Sequence, residues 1–215
     1  MKKLVIFDLD GTLLNTIADL GTATNHALRQ MGFPEHAPEQ YPFMVGNGIT
    51  KLIERALPAD LRDEATITRA REIFLEFYGE HCMDLSTPYP GIPELLRELT
   101  AKGVKVAVAS NKYKAGVVKL INHFFPGIPW LAIEGQIAGR PTKPDPTIVY
   151  DILDMTGIAK DDVLYVGDSG VDMDTARNAG LESIGVTWGF RPRTELEEHH
   201  ACHIIDHPSL LLNYL

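Results

Sequence analysis

The sequence predicts an α/β protein: a parallel sheet with helices on both faces, interrupted early by an all-helical insert. Two observations carry this. Short apolar runs rich in β-formers recur between stretches of helical periodicity, and one early segment has helical periodicity with no such run. The runs cover residues 4–7, 104–109, 130–133, 163–166 and 183–187, and their near-continuous apolar character is that of strands buried on both faces. Helical patterns over 93–102, 115–124, 147–155 and 172–179 alternate with them. A last run, 202–206, alternates poorly as helix and reads as a short edge strand before Pro208.

The exception to the alternation lies between residues 16 and 85. There Ile17, Leu20, Gly21, Thr24, Leu28 and Met31 recur at helical spacing, as do Ile49, Leu52, Ile53, Ala56 and Leu57. A third helix is expected over 59–78, and the proline-rich stretch 87–93 returns the chain to the alternating pattern. The expected division is therefore a core of residues 1–15 and 86–215, with residues 16–85 as a helical cap.

At 215 residues and about 150 per domain, the chain has room for one large domain or a core with a smaller insert. Its formal charge is −9, from 20 Lys and Arg against 29 Asp and Glu, so no basic excess exists to bind nucleic acid or an anionic membrane. Cys82 and Cys202 fit no zinc or redox spacing and read as reduced thiols. The apolar run after Lys3 is stopped by Asp8, too soon for a signal peptide, and no stretch has the length of a membrane span. The expected location is the cytoplasm.

Chemistry-bearing residues cluster where strands are expected to end. Asp8 and Asp10 follow the first run in Asp8-Leu9-Asp10-Gly11-Thr12, and residues two apart in extended chain face the same way. A DxDG string alone is often just a turn, but placed directly after a buried strand it aims two carboxylates at the strand's carboxyl end, where open α/β sheets bind ligands. Two such charges repel, which predicts a divalent metal, a raised carboxyl pKa, or both. Asp168 stands at the end of the fourth run, and Asp172 opens the next helix, where an acidic residue also serves as a cap. A few hard oxygen ligands with room for water and phosphate suit magnesium. The second run ends in Ser110-Asn111-Lys112, common turn residues that also donate to phosphate oxygens, and Lys143 lies in a proline-flanked loop.

In order, Asp8-Leu9-Asp10-Gly11-Thr12-Leu13, Ser110-Asn111-Lys112, Lys143-Pro144-Asp145-Pro146 and Gly167-Asp168-Ser169-Gly170-Val171-Asp172 resemble the four motifs of the haloacid dehalogenase-like superfamily, across nearly the whole chain. The resemblance implies a Rossmann-like core with a helical cap between the first two motifs. Val45-Gly46-Asn47-Gly48 and Tyr89-Pro90-Gly91 are similar to stretches of phosphoglycolate phosphatases in particular. Asn15 stands where many relatives have an acidic residue, and Pro42-Phe43-Met44 departs from that subfamily, which leaves the substrate open.

By resemblance, Asp8 is the nucleophile that takes the phosphoryl group, and Asp10 the acid and then the base. Magnesium is held by Asp8, the Asp10 main-chain carbonyl and Asp168, with Asp172 orienting its shell. Lys143, with Ser110, Asn111 and Thr12, stabilises the phosphate oxygens. In the cap, Gly46-Asn47-Gly48 leads into a helix, so Asn47 and Gly48 are candidates to receive a second substrate anion. The implied function is a magnesium-dependent phosphatase of a small phosphate monoester such as 2-phosphoglycolate, acting as a monomer or weak homodimer. A pyrophosphatase, a sugar phosphatase, a β-phosphoglucomutase-like mutase and, outside enzymes, a phospho-receiver or silent binding domain remain as alternatives. His199, His200, Cys202, His203 and His207 invite a zinc reading that the expected edge strand argues against, and Arg191 and Arg193 lie near the end of the last long strand.

Overall fold

The computed structural model describes residues 1–215. Six parallel strands form the main sheet. They are β1 (Leu4–Phe7), β4 (Lys105–Tyr113), β5 (Trp130–Gln136), β6 (Val163–Gly167), β7 (Glu182–Val186) and β8 (His203–Ile205), in the order β5-β4-β1-β6-β7-β8. The helices between them are α4 (Ile92–Ala101), α5 (Lys114–Phe124), α6 (Thr147–Asp154), α7 (Gly170–Ala179) and α8 (Arg193–Glu198).

β1 is buried along its whole length because successive side chains feed opposite cores. Val5 and Phe7 join the larger hydrophobic cluster, with Val106, Val108, Leu164 and Val166, while Leu4 and Ile6 join the smaller one, with Ala107, Ala109, Val163 and Tyr165. The doubly covered parallel sheet expected from the apolar runs is what forms. The 202–206 run does supply the edge strand, β8.

Between residues 15 and 87 the chain contributes nothing to this sheet. It forms α1 (Ile17–Gln30), α2 (Ile49–Ala56) and α3 (Glu64–His81), with short 3-10 turns at Pro38–Phe43 and Ala59–Leu61. α3 packs against both α1 and α2. The two connecting segments lie side by side as a small antiparallel ribbon, β2 (Leu14–Asn15) with β3 (Thr87–Pro88). Asp19 ties them further, its carboxylate accepting from the Leu85 and Ser86 N–H groups and the Ser86 hydroxyl. No helix is long and apolar enough to cross a membrane.

Two expectations about elements are corrected. The third helix begins at Glu64, not residue 59, because Asp63 caps it: Oδ1 accepts from Thr66 N at 3.0 Å and Oδ2 from Thr66 Oγ1 at 2.6 Å. The second run does not turn at Ser110-Asn111-Lys112. β4 continues to Tyr113, with its register against β5 shifted between Ala109 and Tyr113. β5 can follow because residue 135 is glycine; a Cβ there would lie 2.7 Å from the Lys112 carbonyl oxygen.

Candidate active site

The central position of β1 decides what meets at the carboxyl edge of the sheet. Asp8 prolongs β1, its N–H donating to Val166 O, and Asp168 follows neighbouring β6. Lys143 enters from the loop before α6 and is 1% exposed in its side chain. Its Nζ lies 2.7 Å from Asp172 Oδ1, 3.0 Å from Asp8 Oδ1 and 3.0 Å from Ala109 O. Asn111 fixes the lysine's backbone on both sides, Oδ1 accepting from Lys143 N at 2.8 Å and Nδ2 donating to Lys143 O at 3.2 Å.

Asp168 is held without a cation of its own. Oδ2 accepts from Phe190 N at 2.7 Å and Oδ1 from Thr12 Oγ1 at 3.3 Å. Gly11 (φ +90°) and Gly189 make room for it, since a Cβ on either would come within 2.3 Å of that side chain. Asp172 is cap and ion-pair partner at once: Oδ2 accepts from Ser169 N and Oγ, and Oδ1 from Lys143.

Asp8, Asp168 and Asp172 can each place one oxygen within 4.8 Å of the others. Burial pushes the Asp8 carboxyl up to about 7, Lys143 working against it and the charges of Asp172 and Asp10 adding to it. A raised carboxyl was expected from Asp10; desolvation is the larger cause. Burial, and then Asp172 and Asp8, raise Asp168 well above the carboxylate range. Burial disfavours the charged form of Lys143, but Asp172 and Asp8 outweigh it and hold the ammonium well above its usual value.

Asp8 Oδ1 is buried and makes no hydrogen bond, since the Lys143 contact is ionic and not aligned as one. Three carboxylates balanced by a single ammonium, with one Asp8 oxygen lacking a hydrogen-bond donor, offer the hard oxygen ligands and the negative charge that fit a divalent cation.

Asp10 faces other partners. Both its oxygens lie 3.1 Å from Lys112 Nζ, and Oδ1 also accepts from Thr16 Oγ1 at 2.7 Å. Asp10 and Asp8 line one cleft, together with Ser110, Asn111, Lys112 and, from the helical segment, Leu20, Val45, Gly46, Gly48, Ile49 and Leu52. Of the four acidic residues expected at the site, Asp10 alone keeps its side chain outside the carboxylate cluster.

The loop before α2 is fastened from both sides. Arg191 donates to Val45 O at 3.0 Å and Asn111 to Gly46 O at 3.1 Å, while Arg55 donates to Met44 O and to Asn47 Oδ1, both at 2.8 Å. Asn47 is thus paired within its own segment, and Gly48 (φ +81°) caps α2. Arg193 pairs with Glu197, and His199, His203 and His207 bond separately to Asp174, Glu182 and Ser209.

Ser110 Oγ accepts from Lys112 N. Lys112, Phe190 and Tyr78, whose ring lies 4.7 Å from Lys112 Nζ, had no assigned role in the sequence reading. Ser110 and Lys112 both line the cleft, two residues apart on β4, an arrangement that depends on the strand running past residue 109, where the expected run ends.

Residues 5–186 match the family model of the haloacid dehalogenase-like hydrolases. The chain belongs to this family. Among curated relatives, a phosphoglycolate phosphatase of Pseudomonas syringae pv. tomato is 32% identical, covering 96% of this chain and 77% of its own length. One of Vibrio parahaemolyticus is 32% identical over 98% and 94%. A crystal structure from Lactobacillus delbrueckii subsp. bulgaricus superposes with a TM-score of 0.93 at 33% identity, covering 100% of this chain and 98% of that one. The haloacid dehalogenase-like fold explains the chain order of the four motifs, each of which delivers a group to the same sheet edge.

Proposed function

We propose that this hydrolase cleaves a small phosphate monoester, 2-phosphoglycolate, through a phosphorylated Asp8, with magnesium as its metal. The observation that carries the reading is the buried Asp8 carboxylate, one oxygen lacking a hydrogen-bond donor, set against Lys143 and Asp168. The names of the relatives supply the substrate.

In the first displacement an Asp8 oxygen bonds to phosphorus, the ester bond breaks, and Asp10 gives a proton to the departing oxygen. In the second, Asp10 takes a proton from water whose oxygen bonds to phosphorus; the bond to Asp8 breaks and inorganic phosphate leaves. Lys143 is the cation beside the phosphate oxygens, helped by the hydroxyl of Ser110, while Thr12 holds Asp168. Asn111 contributes by holding the Lys143 backbone. Asp8, Asp168 and the Asp10 main-chain carbonyl would hold magnesium, and Asp172 would orient that set through Lys143. When bound, the ion offsets repulsion between the carboxylates and an anionic phosphate.

Residues 16–85 act as the cap over a core of residues 1–15 and 86–215. The cleft is walled on one side by the sheet edge and on the other by the helical segment, so substrate entry and product exit are expected to swing that segment on its ribbon. Asn47 and Gly48 bring the loop that borders the leaving group. The free cysteines suit a reducing cytoplasm, and the protein works as a monomer or weak homodimer.

Phosphate release from phosphoglycolate, sugar phosphates, nucleotides and pyrophosphate, with and without magnesium, ranks the substrates. Mass spectrometry of enzyme quenched during turnover is expected to find the phosphoryl group on Asp8. Finding it on another residue, or on none, overturns the mechanism.

A further inference from the structure

We propose that Lys112 recognises a carboxylate on the leaving group, and that this contact frees Asp10 for proton transfer. The inference rests on the phosphatase reading above and extends it to substrate choice. Lys112 is the one cationic residue lining the cleft. Its side chain is only 2% exposed, so its charge is answered by protein groups and not by water.

Other cations near the cleft are already engaged. Lys143 is shared among Asp8, Asp172 and Ala109 O, while Arg55 and Arg191 are taken by the loop at Met44 to Asn47. Lys112 differs. An ammonium has three N–H donors, and at most two are used on Asp10. The Tyr78 ring, 4.7 Å from Nζ, supports the charge from α3 and steadies its position.

The pairing also occupies the acid. Lys112 engages both Asp10 oxygens and Thr16 takes Oδ1 again, so most of the carboxylate's acceptor positions are filled and a leaving oxygen must compete for what remains on Oδ2. A competing anion changes this. In phosphoglycolate the carboxylate is separated from the ester oxygen by a single carbon. An ester oxygen placed at Asp10 therefore brings the carboxylate within reach of an ammonium 3.1 Å from Asp10's own oxygens. The ammonium then exchanges part of its contact with Asp10 for contact with the substrate. A neutral leaving group offers no such exchange.

The test compares kcat and KM for 2-phosphoglycolate and for ethyl phosphate, with magnesium, in the wild-type protein and in Lys112→Met and Lys112→Arg, each checked for fold by circular dichroism. The wild type is expected to favour phosphoglycolate in kcat/KM. In Lys112→Met that preference falls about tenfold to a hundredfold, the usual effect of losing a hydrogen bond to a charged group, with KM for phosphoglycolate carrying most of the change. Lys112→Arg restores part of it. If Lys112→Met lowers both substrates equally, or keeps the preference, the recognition role is overturned while the phosphatase reading stands. If the wild type cleaves both esters without preference, the phosphoglycolate assignment falls with this inference. Should it cleave neither, the phosphatase reading itself fails.

Discussion

The two sides of the cleft are built on different electrostatic plans. On the Asp8 side, three carboxylates, Asp8, Asp168 and Asp172, gather around a single ammonium, Lys143, which pairs with Asp8 and Asp172, and all four groups meet at the carboxyl edge of the sheet. On the Asp10 side, one carboxylate meets one ammonium, and the pair is bordered by Thr16 and Tyr78 from the helical segment. The first side carries an excess of negative charge, a plan suited to a cation and a phosphoryl group. The second is balanced, and it touches the helical segment. On the proposed function, the chemistry common to every phosphate ester belongs to the first side, and discrimination to the second, where two parts of the chain meet.

The largest expected effect is Asp8→Asn. It removes one negative charge from the overcharged side and leaves the shape intact, so the protein should stay folded and its metal-dependent phosphate release fall to background. Retention of turnover would show that the carboxylate cluster is structural. Next is Lys143→Met, which takes away the sole cation among three carboxylates. Losing one partner of a buried pair costs about 3–5 kcal/mol of stability. Urea unfolding should show a larger loss for Lys143→Met than for Lys112→Met, whose partner Asp10 is 17% exposed. The reverse order would break the comparison between the two sides.

The overcharged side was the legible one. A carboxylate at the end of an apolar run, or at the head of a helix, is placed by periodicity alone, so Asp8, Asp168 and Asp172 could be located by counting, and the alternating runs gave the sheet. Lys112 could not be read in the same way. Its role depends on β4 running on to Tyr113 and on a tyrosine brought in by α3, contacts between residues far apart in sequence. Thr12 and Asn111 illustrate a second limit. The family resemblance implies both as phosphate donors, but the structure bonds Thr12 to Asp168 and Asn111 to Lys143 and Gly46. A residue's donor groups can be read from sequence; the acceptor that wins them is set by packing.

Metal removal sharpens the comparison through pH. Asp8 moves from an ordinary 3.8 to about 7 on folding, so the folded protein holds a proton that the unfolded chain has released. Without metal, stability should therefore fall as pH rises from about 4 to 7 and stay at its lower level above that. A divalent cation supplies the missing positive charge. Magnesium at 100 times its dissociation constant would add about 2.7 kcal/mol, so at a fixed concentration the rise in melting temperature should be greater at pH 8 than at pH 5. An equal rise at both values would place the ion away from these carboxylates.

The smallest effect tests the moving side. Arg191 reaches from the loop after β7 to Val45 O, and its guanidinium lies 5.9 Å from the exposed ring of Phe43. Asn111 holds the neighbouring carbonyl, so Arg191→Ala removes one of the loop's two fastenings from outside the helical segment. A hydrogen bond of this kind contributes about 0.5–1.5 kcal/mol, which corresponds to a rise in KM of up to about tenfold. Because Arg191 touches neither Asp8 nor Lys143, phosphorylation of Asp8 in a single turnover at saturating substrate should keep its rate. A slowed chemical step with KM unchanged would mean that the loop positions the reacting groups themselves, and the separation between a fixed and a moving side would no longer hold.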